Sequence, residues 1–279
     1  MYRHLLGLIL VVTSACPLGA QTPKEQRRQE ALEFHVLAQQ RTGLLVPLYV
    51  YPGNVRENPA YNRLIELRRQ YETVPVWVIV NPASGPGKQR DPNYTVAIDR
   101  LVGAGCVVVG YVTTSYGKRA EVEVQKDLDQ WASLYPRVNG IFFDEMIYED
   151  KSAAAEYQSN LRRYATQNGF WPTVGNPGAD TPARYFASKA ADVIVIHEGD
   201  SWPKEERLRS YTDHPPFTRA LLLHSQEKLD ADAVRMARRH ARWLYVTEGV
   251  FRAGDPKAAN PWDRLSKHLD ELCKLLIAD

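Results

Sequence analysis

Apolar and polar positions alternate in blocks along this chain from Leu44 onward. Apolar, β-branched runs of about five to eight residues alternate with amphipathic stretches of about ten to eighteen residues, which are the lengths of strands and helices. Runs such as Val107-Val108-Val109 are apolar at every position, which is typical of parallel strands buried on both faces. The predicted strands are residues 44–51, 74–81, 106–112, 140–144, 171–175, 192–198, 219–224 and 243–247. The predicted helices are residues 61–71, 94–102, 120–135, 153–168, 181–190, 204–211, 231–240 and 261–277.

Eight strands, each followed by a helix, predict an α/β protein with a closed (β/α)8 TIM barrel. The chain has 279 residues, close to the roughly 250 that such a barrel uses as one domain. An open, doubly wound sheet is the structural alternative, which eight units over this length disfavour. No linker or change of composition divides the chain after Leu44, so residues 42–279 are predicted to form a single catalytic domain.

The N-terminal part of the chain has a different pattern. A basic start precedes an apolar run at residues 5–12, and small and polar residues follow. This order predicts a secretory signal peptide over residues 1–20, because a membrane-spanning helix needs about 20 apolar residues. The alternative is a lipoprotein signal that ends before an acylated Cys16. Residues 21–41 are predicted to be a linker or a leading helix, and we expect a secreted, periplasmic or cell-envelope protein without a membrane span.

Charge and cysteine content narrow the classes of function. The 35 Lys and Arg residues nearly balance the 33 Asp and Glu residues, so the net charge of +2 provides no basic field for nucleic acid. Beyond Cys16 only Cys106 and Cys273 remain, which is neither a disulfide framework nor a zinc spacing, and both are predicted to be buried as small hydrophobic residues. No predicted strand carries the lysine of a Schiff-base aldolase. We expect a monomer with no cofactor and no metal.

Polar side chains at the strand ends define the expected site. In (β/α)8 barrels the active site lies at the carboxyl ends of the strands, where loops from several strands converge. One polar residue at a strand end can simply cap the next helix, but eight strands that end this way indicate a common site. Aromatic rings there can pack against the faces of sugars. The residues predicted to bind substrate are Tyr49, Tyr51, Asn81, Tyr111, Asn176, Trp202, His224 and Glu248.

The strongest chemical signal is the segment Gly140-Ile141-Phe142-Phe143-Asp144-Glu145, in which two carboxylates directly follow a buried strand. Burying such charges is costly unless they are solvated, paired or functional. Because side chains alternate along a strand, Asp144 and Glu145 are expected to start on opposite sides and to differ in role. The alternative is that both acids simply line the N-terminus of the next helix, where its dipole favours them.

Glu198 ends the sixth predicted strand and faces the same mouth as Asp144. Glycoside cleavage needs two carboxyl groups beside one bond, one neutral and one ionised, and these two acids supply such a pair. Burial and neighbouring negative charge are expected to raise the pKa of the acid member. Retaining enzymes hold the carboxyl groups about 5–5.5 Å apart and inverting enzymes about 6.5–9.5 Å, and we predict the shorter separation. The alternatives are an ion pair between Glu198 and an arginine, or a metal site formed by His197, Glu198 and His224.

Several stretches of the chain carry a family resemblance: Val46-Pro47-Leu48-Tyr49-Val50-Tyr51-Pro52, Asn81-Pro82-Ala83-Ser84-Gly85-Pro86-Gly87, Gly110-Tyr111-Val112-Thr113-Thr114, Gly140–Glu145, Asn176-Pro177-Gly178 and Glu198. They resemble the spherulin-4 family, which is also classed as glycoside hydrolase family 135. The resemblance extends from about Leu44 to Glu248 and implies a (β/α)8 barrel that hydrolyses α-1,4-linked galactosamine-rich polymers. It also implies that Asp144, Glu145 and Glu198 form the acidic centre.

Residues and resemblance together predict a secreted, endo-acting glycosidase that cleaves a galactosamine- or N-acetylgalactosamine-rich polysaccharide, such as a biofilm polymer, by a retaining mechanism. Asp144 is assigned as the nucleophile and Glu198 as the general acid/base, although the two roles can be exchanged. Glu145 is assigned as an auxiliary acid that tunes the pair or binds a substrate ammonium group. The alternatives from other classes are a non-catalytic carbohydrate-binding barrel and a metal-dependent hydrolase on the same fold.

Overall fold

A computed structural model describes residues 22–27, 29, 40–252, 254–255 and 260–278. Eight parallel strands pair in chain order, and the last pairs with the first, so the predicted (β/α)8 barrel is confirmed. The strands are β1 (Gly43–Leu48), β2 (Val76–Val80), β3 (Val107–Thr113), β4 (Gly140–Asp144), β5 (Thr173–Gly175), β6 (Val193–Gly199), β7 (Arg219–Leu223) and β8 (Trp243–Val246). The helices that follow them are α1 (Pro59–Gln70), α2 (Pro92–Gly103), α3 (Glu121–Leu134), α4 (Ser152–Gln167), α5 (Ala183–Ala187), α6 (Glu205–Arg209), α7 (Ala231–His240) and α8 (Leu269–Ile277).

The core explains why the strands are apolar along their whole length. Every residue of β1, β2, β7 and β8 is buried, because one face lines the barrel interior and the other lies under the helices. Cys106 and Cys273 are buried within this core as predicted. Only at their carboxyl ends do β3, β4 and β6 become partly exposed, so the polar groups of these strands meet at one mouth.

Local signals set where several helices begin. Asn58 and Asp91 cap α1 and α2 by accepting hydrogen bonds from backbone N–H groups of the first turn, and a proline is the first residue of each helix. Asp230 caps α7 in the same way. These caps fix the helices directly after the loops at the mouth.

The predicted helix at residues 261–277 is wrong in its first half, because α8 begins only at Leu269. In the preceding segment, backbone groups form hydrogen bonds with the barrel in place of helical ones. The N–H of Tyr49 donates to the carbonyl of Trp262 (3.2 Å), and the N–H of Ser266 donates to the Tyr245 hydroxyl (3.0 Å). Helices α5 and α6 are also shorter than predicted. Helix α5 ends before Lys189, whose φ of 54° is left-handed and cannot continue a right-handed helix.

The predicted signal peptide over residues 1–20 and its lipoprotein alternative at Cys16 lie outside the described residues. Part of the segment predicted as a linker or leading helix is described, and residues 23–27 are helical. Arg27 packs over the Phe170 ring at 4.8 Å and donates to the carbonyls of Pro136 and Asn168, at 3.0 Å each. These partners precede β4 and β5, so this part of the segment packs under the barrel, at the end opposite the mouth. No helix within the described ranges has the length and apolarity needed to cross a membrane.

Close packing at Gly140 predicts a strong effect of one added methyl group on stability. A Cβ at this position lies 2.0 Å from the Pro172 carbonyl oxygen, which belongs to the backbone and cannot move aside easily. We expect Gly140→Ala to lower the free energy of unfolding by about 3 kcal/mol or more. Gly103, at the end of α2, has open space around its Cβ position, so Gly103→Ala is the matched control and is expected to be neutral or slightly stabilising. Thermal and denaturant unfolding measure both variants, and equal stabilities contradict the packing argument.

Candidate active site

The centre of the mouth consists of two carboxylates bridged by one amide. The Asn176 Nδ2 atom donates to Asp144 Oδ1 at 2.9 Å and to Glu198 Oε2 at 2.6 Å. Two oxygens that accept hydrogen bonds from one nitrogen cannot lie further apart than the two distances combined. Asp144 Oδ1 and Glu198 Oε2 are therefore at most about 5.5 Å apart. The two acids therefore form a close pair, as the strand ends predict.

Asn176 is itself fixed by the backbone of β4. Its N–H donates to the carbonyl of Phe143 (2.8 Å), and its carbonyl accepts from the N–H of Met146 (2.8 Å). Its Oδ1 atom accepts from the N–H of Gly178 (3.2 Å), which leaves the Nδ2 atom facing the carboxylates. Asn176, the residue after β5, thus bonds to the chain on both sides of Asp144, at Phe143 and at Met146.

Asp144 accepts hydrogen bonds on both of its oxygens. Besides the bond from Asn176, its Oδ2 atom accepts from the Tyr111 hydroxyl at 2.8 Å. Burial raises the pKa of Asp144, while these two donors act in the opposite direction because they stabilise the ionised form. The helix α4 begins only at Ser152, so Asp144 and Glu145 do not line the N-terminus of a helix.

Glu198 reaches the mouth through an irregularity in β6. The register of β6 against β7 shifts by one residue between Val195 and His197, and such an irregularity re-aims the side chains that follow it. Burial raises the pKa of Glu198 to about 7, and the charge of Asp144 acts in the same direction. This matches the expectation that one acid of the pair has a raised pKa. No ion pair among the described residues involves Glu198, so the alternative of an arginine partner is not supported.

Glu145 differs from its sequence-based expectation. Its φ of 50° is left-handed, which breaks the strand alternation that predicts opposite sides for Asp144 and Glu145. The Glu145 Oε2 atom accepts from the Thr113 hydroxyl at 2.5 Å, and Thr113 is paired with Asp144 in the sheet. The charge of Glu145 also raises the pKa of Asp144 as a minor contribution after burial. The prediction of opposite sides is therefore wrong, because the kinked backbone turns the Glu145 carboxylate to the side on which Asp144 lies.

Of the predicted tyrosines, Tyr49 and Tyr111 lie at the acid pair. Their rings meet edge to face at 5.9 Å, and burial followed by the charge of Asp144 raises the pKa of both. Tyr51 lies elsewhere: its hydroxyl donates to Asp91 at 3.2 Å and accepts from Asn93 at 2.9 Å, at the start of α2.

Asn81 and Glu248 bond to structural partners, whereas Trp202 has no hydrogen-bond partner among the described residues. The Asn81 Oδ1 atom accepts from the N–H of Gly85 (3.0 Å) and so closes its own loop. Trp202 packs against the core, and its Nε1 atom is enclosed without a partner in the described part of the chain. The Oε2 atom of Glu248 accepts from the N–H of Lys267 at 3.0 Å.

His224 and Trp262 form the side of the mouth next to Glu198. Their rings meet edge to face at 6.0 Å, and burial lowers the pKa of His224. The Trp262 side chain lies close enough to Glu198 to lower its pKa, against the effect of burial. Sequence reasoning missed Trp262, because it assigned this segment to a helix. The Asn260-Pro261-Trp262 turn after the last strand was the available signal.

The alternative metal cluster of His197, Glu198 and His224 is not formed. His197 is turned away, with Nε2 at 2.7 Å from the Ser201 carbonyl and Nδ1 at 2.9 Å from Arg207. Within the described ranges, no three His, Cys, Asp or Glu side chains are placed to hold a metal ion together.

The raised pKa of Glu198 has a consequence for stability. Between its ordinary value of 4.5 and its folded value of about 7, the folded protein keeps a proton that the unfolded chain releases. Stability therefore falls as the pH rises through this window, and the full loss is present above pH 7. We expect Glu198→Gln, which cannot ionise, to raise the free energy of unfolding by about 1–3 kcal/mol at pH 8 and by much less at pH 4.5.

Denaturant unfolding at the two pH values measures the effect of Glu198→Gln. Glu206→Gln, at an exposed position of α6, is the matched control and should show the same small effect at both pH values. An equal effect of Glu198→Gln at pH 4.5 and pH 8 contradicts the raised pKa.

Comparison with known proteins places this site in a family. The family model Spherulin4, the spherulation-specific family 4, matches residues 43–276. Spherulin-4 from Physarum polycephalum is 34% identical over 160 residues, which are 57% of this chain but only 45% of that protein, so the match spans less than half of the relative.

Solved structures show the same architecture. Aspergillus clavatus Sph3, crystallised in complex with GalNAc, superposes with a TM-score of 0.72 at 25% identity over 86% of this chain and 99% of that chain. The Bacillus cereus spore cortex-lytic enzyme SleL has a TM-score of 0.52 at 9% identity over 85% of this chain and 75% of its own, which shows a shared fold alone. The chain belongs to the spherulin-4 family, with a single-domain (β/α)8 barrel.

Proposed function

We propose that this protein is an endo-acting glycoside hydrolase that cleaves α-1,4-linked galactosamine- or N-acetylgalactosamine-rich polysaccharide with retention of configuration. The observation that carries the proposal is the pair of carboxylates, Asp144 and Glu198, bridged by one amide at the mouth of the barrel. Glycoside cleavage needs such a pair beside the bond that breaks.

The surroundings of the two acids support different roles. Burial raises the pKa of Asp144, but hydrogen bonds from Tyr111 and Asn176 on its two oxygens oppose this effect and favour the carboxylate that attacks the anomeric carbon. Glu198, with a pKa of about 7, carries a proton in mildly acidic solution and can donate it to the leaving oxygen. After the sugar is transferred to Asp144, the ionised Glu198 takes a proton from water, which then releases the sugar.

The spacing of the acids supports retention. Their bridged oxygens are at most about 5.5 Å apart, and retaining enzymes use about 5–5.5 Å. Inverting enzymes need about 6.5–9.5 Å, so that a water molecule fits between the base and the sugar.

The charge of the mouth supports an amino-sugar substrate. Asp144, Glu145 and Glu198 converge there, and no described Lys or Arg pairs with them. A polymer with free ammonium groups offsets such a concentration of negative charge. Sph3, a structural relative at 25% identity, binds GalNAc, which supports galactose configuration in the sugar. Secretion, through the signal sequence predicted at residues 1–20, suits an extracellular polysaccharide as the partner.

Reducing-end release tests the reaction and the substrate. We expect the wild type to act on α-1,4-galactosamine polymers and not on chitosan or galactan. Asp144→Asn should lower the rate by about a thousandfold or more, because it removes the nucleophile. Asp99→Asn changes an exposed carboxylate on α2 and is the control, expected to keep the wild-type rate. If Asp144→Asn retains activity, Asp144 is not the nucleophile.

The stereochemistry of the first product tests the mechanism. Proton NMR during early hydrolysis distinguishes the α from the β anomer of the new reducing end before they equilibrate. We expect the α anomer, since two displacements at the same carbon restore the configuration of the substrate. Initial formation of the β anomer contradicts retention and requires a water molecule between the acids.

A further inference from the structure

The exposed apolar surface of this barrel gathers at its mouth. Among the described residues, five of the eight large hydrophobic side chains most open to solvent lie in loops that follow strands: Tyr51, Tyr116, Tyr148, Val250 and Phe251. Exposed aromatic side chains grouped on one face mark binding surfaces more often than chance exposure does. Two of these residues, Tyr116 and Tyr148, are part of one arrangement.

Tyr116 and Tyr148 come from neighbouring loops, after β3 and after β4. Their rings meet edge to face, with centroids 6.2 Å apart and an interplanar angle of 83°, and they are 45% and 42% exposed. The backbone of Tyr116 bonds to that of Glu145, so the residue lies beside the acidic centre. Burial raises the pKa of Tyr116, and the charges of Glu145 and Asp144 add to this effect.

The loop that carries Tyr116 is held in an unfavourable backbone conformation. Ser115, Tyr116 and Gly117 all have positive φ angles, of 48°, 54° and 77°. Side chains rarely adopt this region, and such strain persists only where surrounding contacts fix it, often at functional sites.

The contacts that fix this loop come from the turn that carries Glu145. The N–H of Tyr116 donates to the Glu145 carbonyl at 2.7 Å, and the Thr114 hydroxyl donates to the same oxygen at 2.7 Å. Gly117 packs closely on Ile147, because a Cβ at position 117 lies only 2.8 Å from the Ile147 Cδ1 atom. The position of the Tyr116 ring is therefore set by the same turn as the third carboxylate.

We propose that Tyr116 and Tyr148 form a sugar-stacking subsite beside Glu145, which binds one hexosamine unit of the polymer outside the bond that is cleaved. This proposal rests on the proposed function. The apolar C–H face of the sugar packs on the rings, and its amino group faces the Glu145 carboxylate and the π surface of the tyrosines. A subsite built from two separate loops extends recognition beyond the acid pair to a neighbouring sugar.

Kinetics on galactosamine polymers test this subsite. Tyr116→Ala and Tyr148→Ala each remove one stacking ring, and we expect each to raise KM by about three- to tenfold. We expect kcat to stay within about twofold of the wild type, because the acids are unchanged. Tyr116→Phe and Tyr148→Phe keep the ring and should stay within about twofold in KM. Val122→Ala, at a residue of α3 that is 56% exposed, is the control for loss of an exposed apolar side chain. Melting temperatures verify that the variants fold.

Calorimetric titration with galactosamine oligosaccharides, on an Asp144→Asn background, measures Kd without hydrolysis. A higher Kd in the Tyr→Ala variants supports the subsite even if the wild type hydrolyses none of the polymers, and in that case the proposed reaction alone fails. Unchanged KM and Kd in the double Tyr→Ala variant overturn the subsite while the reaction stands. An equal loss in the Phe and Ala variants also overturns it, because the hydroxyl groups and not the ring faces then bind the sugar. Absence of any oligosaccharide binding overturns it as well.

Discussion

The hydrogen bonds of one side-chain amide hold the acidic centre together. Two half-buried carboxylates within about 5.5 Å repel each other, and the two N–H groups of Asn176 are donors to both of them at once. The orientation of this amide depends on Gly178 on one side and on the backbone of β4 on the other. The spacing of Asp144 and Glu198, and the proton distribution between them, therefore depend on how the end of β5 is attached to the end of β4.

Barrel closure makes this attachment possible, and it also isolates the acids. Strands β4, β5 and β6 are adjacent, so polar groups at three consecutive ends meet without long loops. The surrounding residues are largely tyrosine, tryptophan and amide groups, which donate hydrogen bonds but carry no positive charge. Burial then raises the pKa of Glu198 and keeps a proton in the site. An arginine beside Glu198 would favour its ionised form and remove the acid that glycoside cleavage needs.

Much of this centre could be predicted from the sequence, because a parallel barrel places all strand ends in one ring. Asp144, Glu198, Asn176 and Tyr111 follow from that rule and from the apolar strands before them. The direction in which the Glu145 side chain leaves the strand could not be predicted. It depends on the left-handed φ of Glu145, which hydrogen bonds from Thr114 and Tyr116 to its carbonyl stabilise. The contact of Trp262 with Glu198 depends on tertiary bonds that replace a helix. Strand position predicts Tyr51 and Asn81 at the site, but Tyr51 is held by Asp91 and Asn93 at the start of α2, and Asn81 is held by Gly85 of its own loop.

The third carboxylate links the chemistry to recognition. Glu145 accepts the Thr113 hydroxyl through its side chain, and its carbonyl accepts Thr114 and Tyr116, so the loop after β3 and the turn after β4 form one unit. A shift of this loop moves a carboxylate as well as an aromatic ring. The side chains of Asp144 and Glu198 are joined to each other through Asn176, whose backbone carbonyl also accepts from Met146 of the same turn. Under the proposed function, the Glu145 side of the site contacts the amino or acetamido group of the sugar, and the amide of Asn176 keeps the spacing of Asp144 and Glu198.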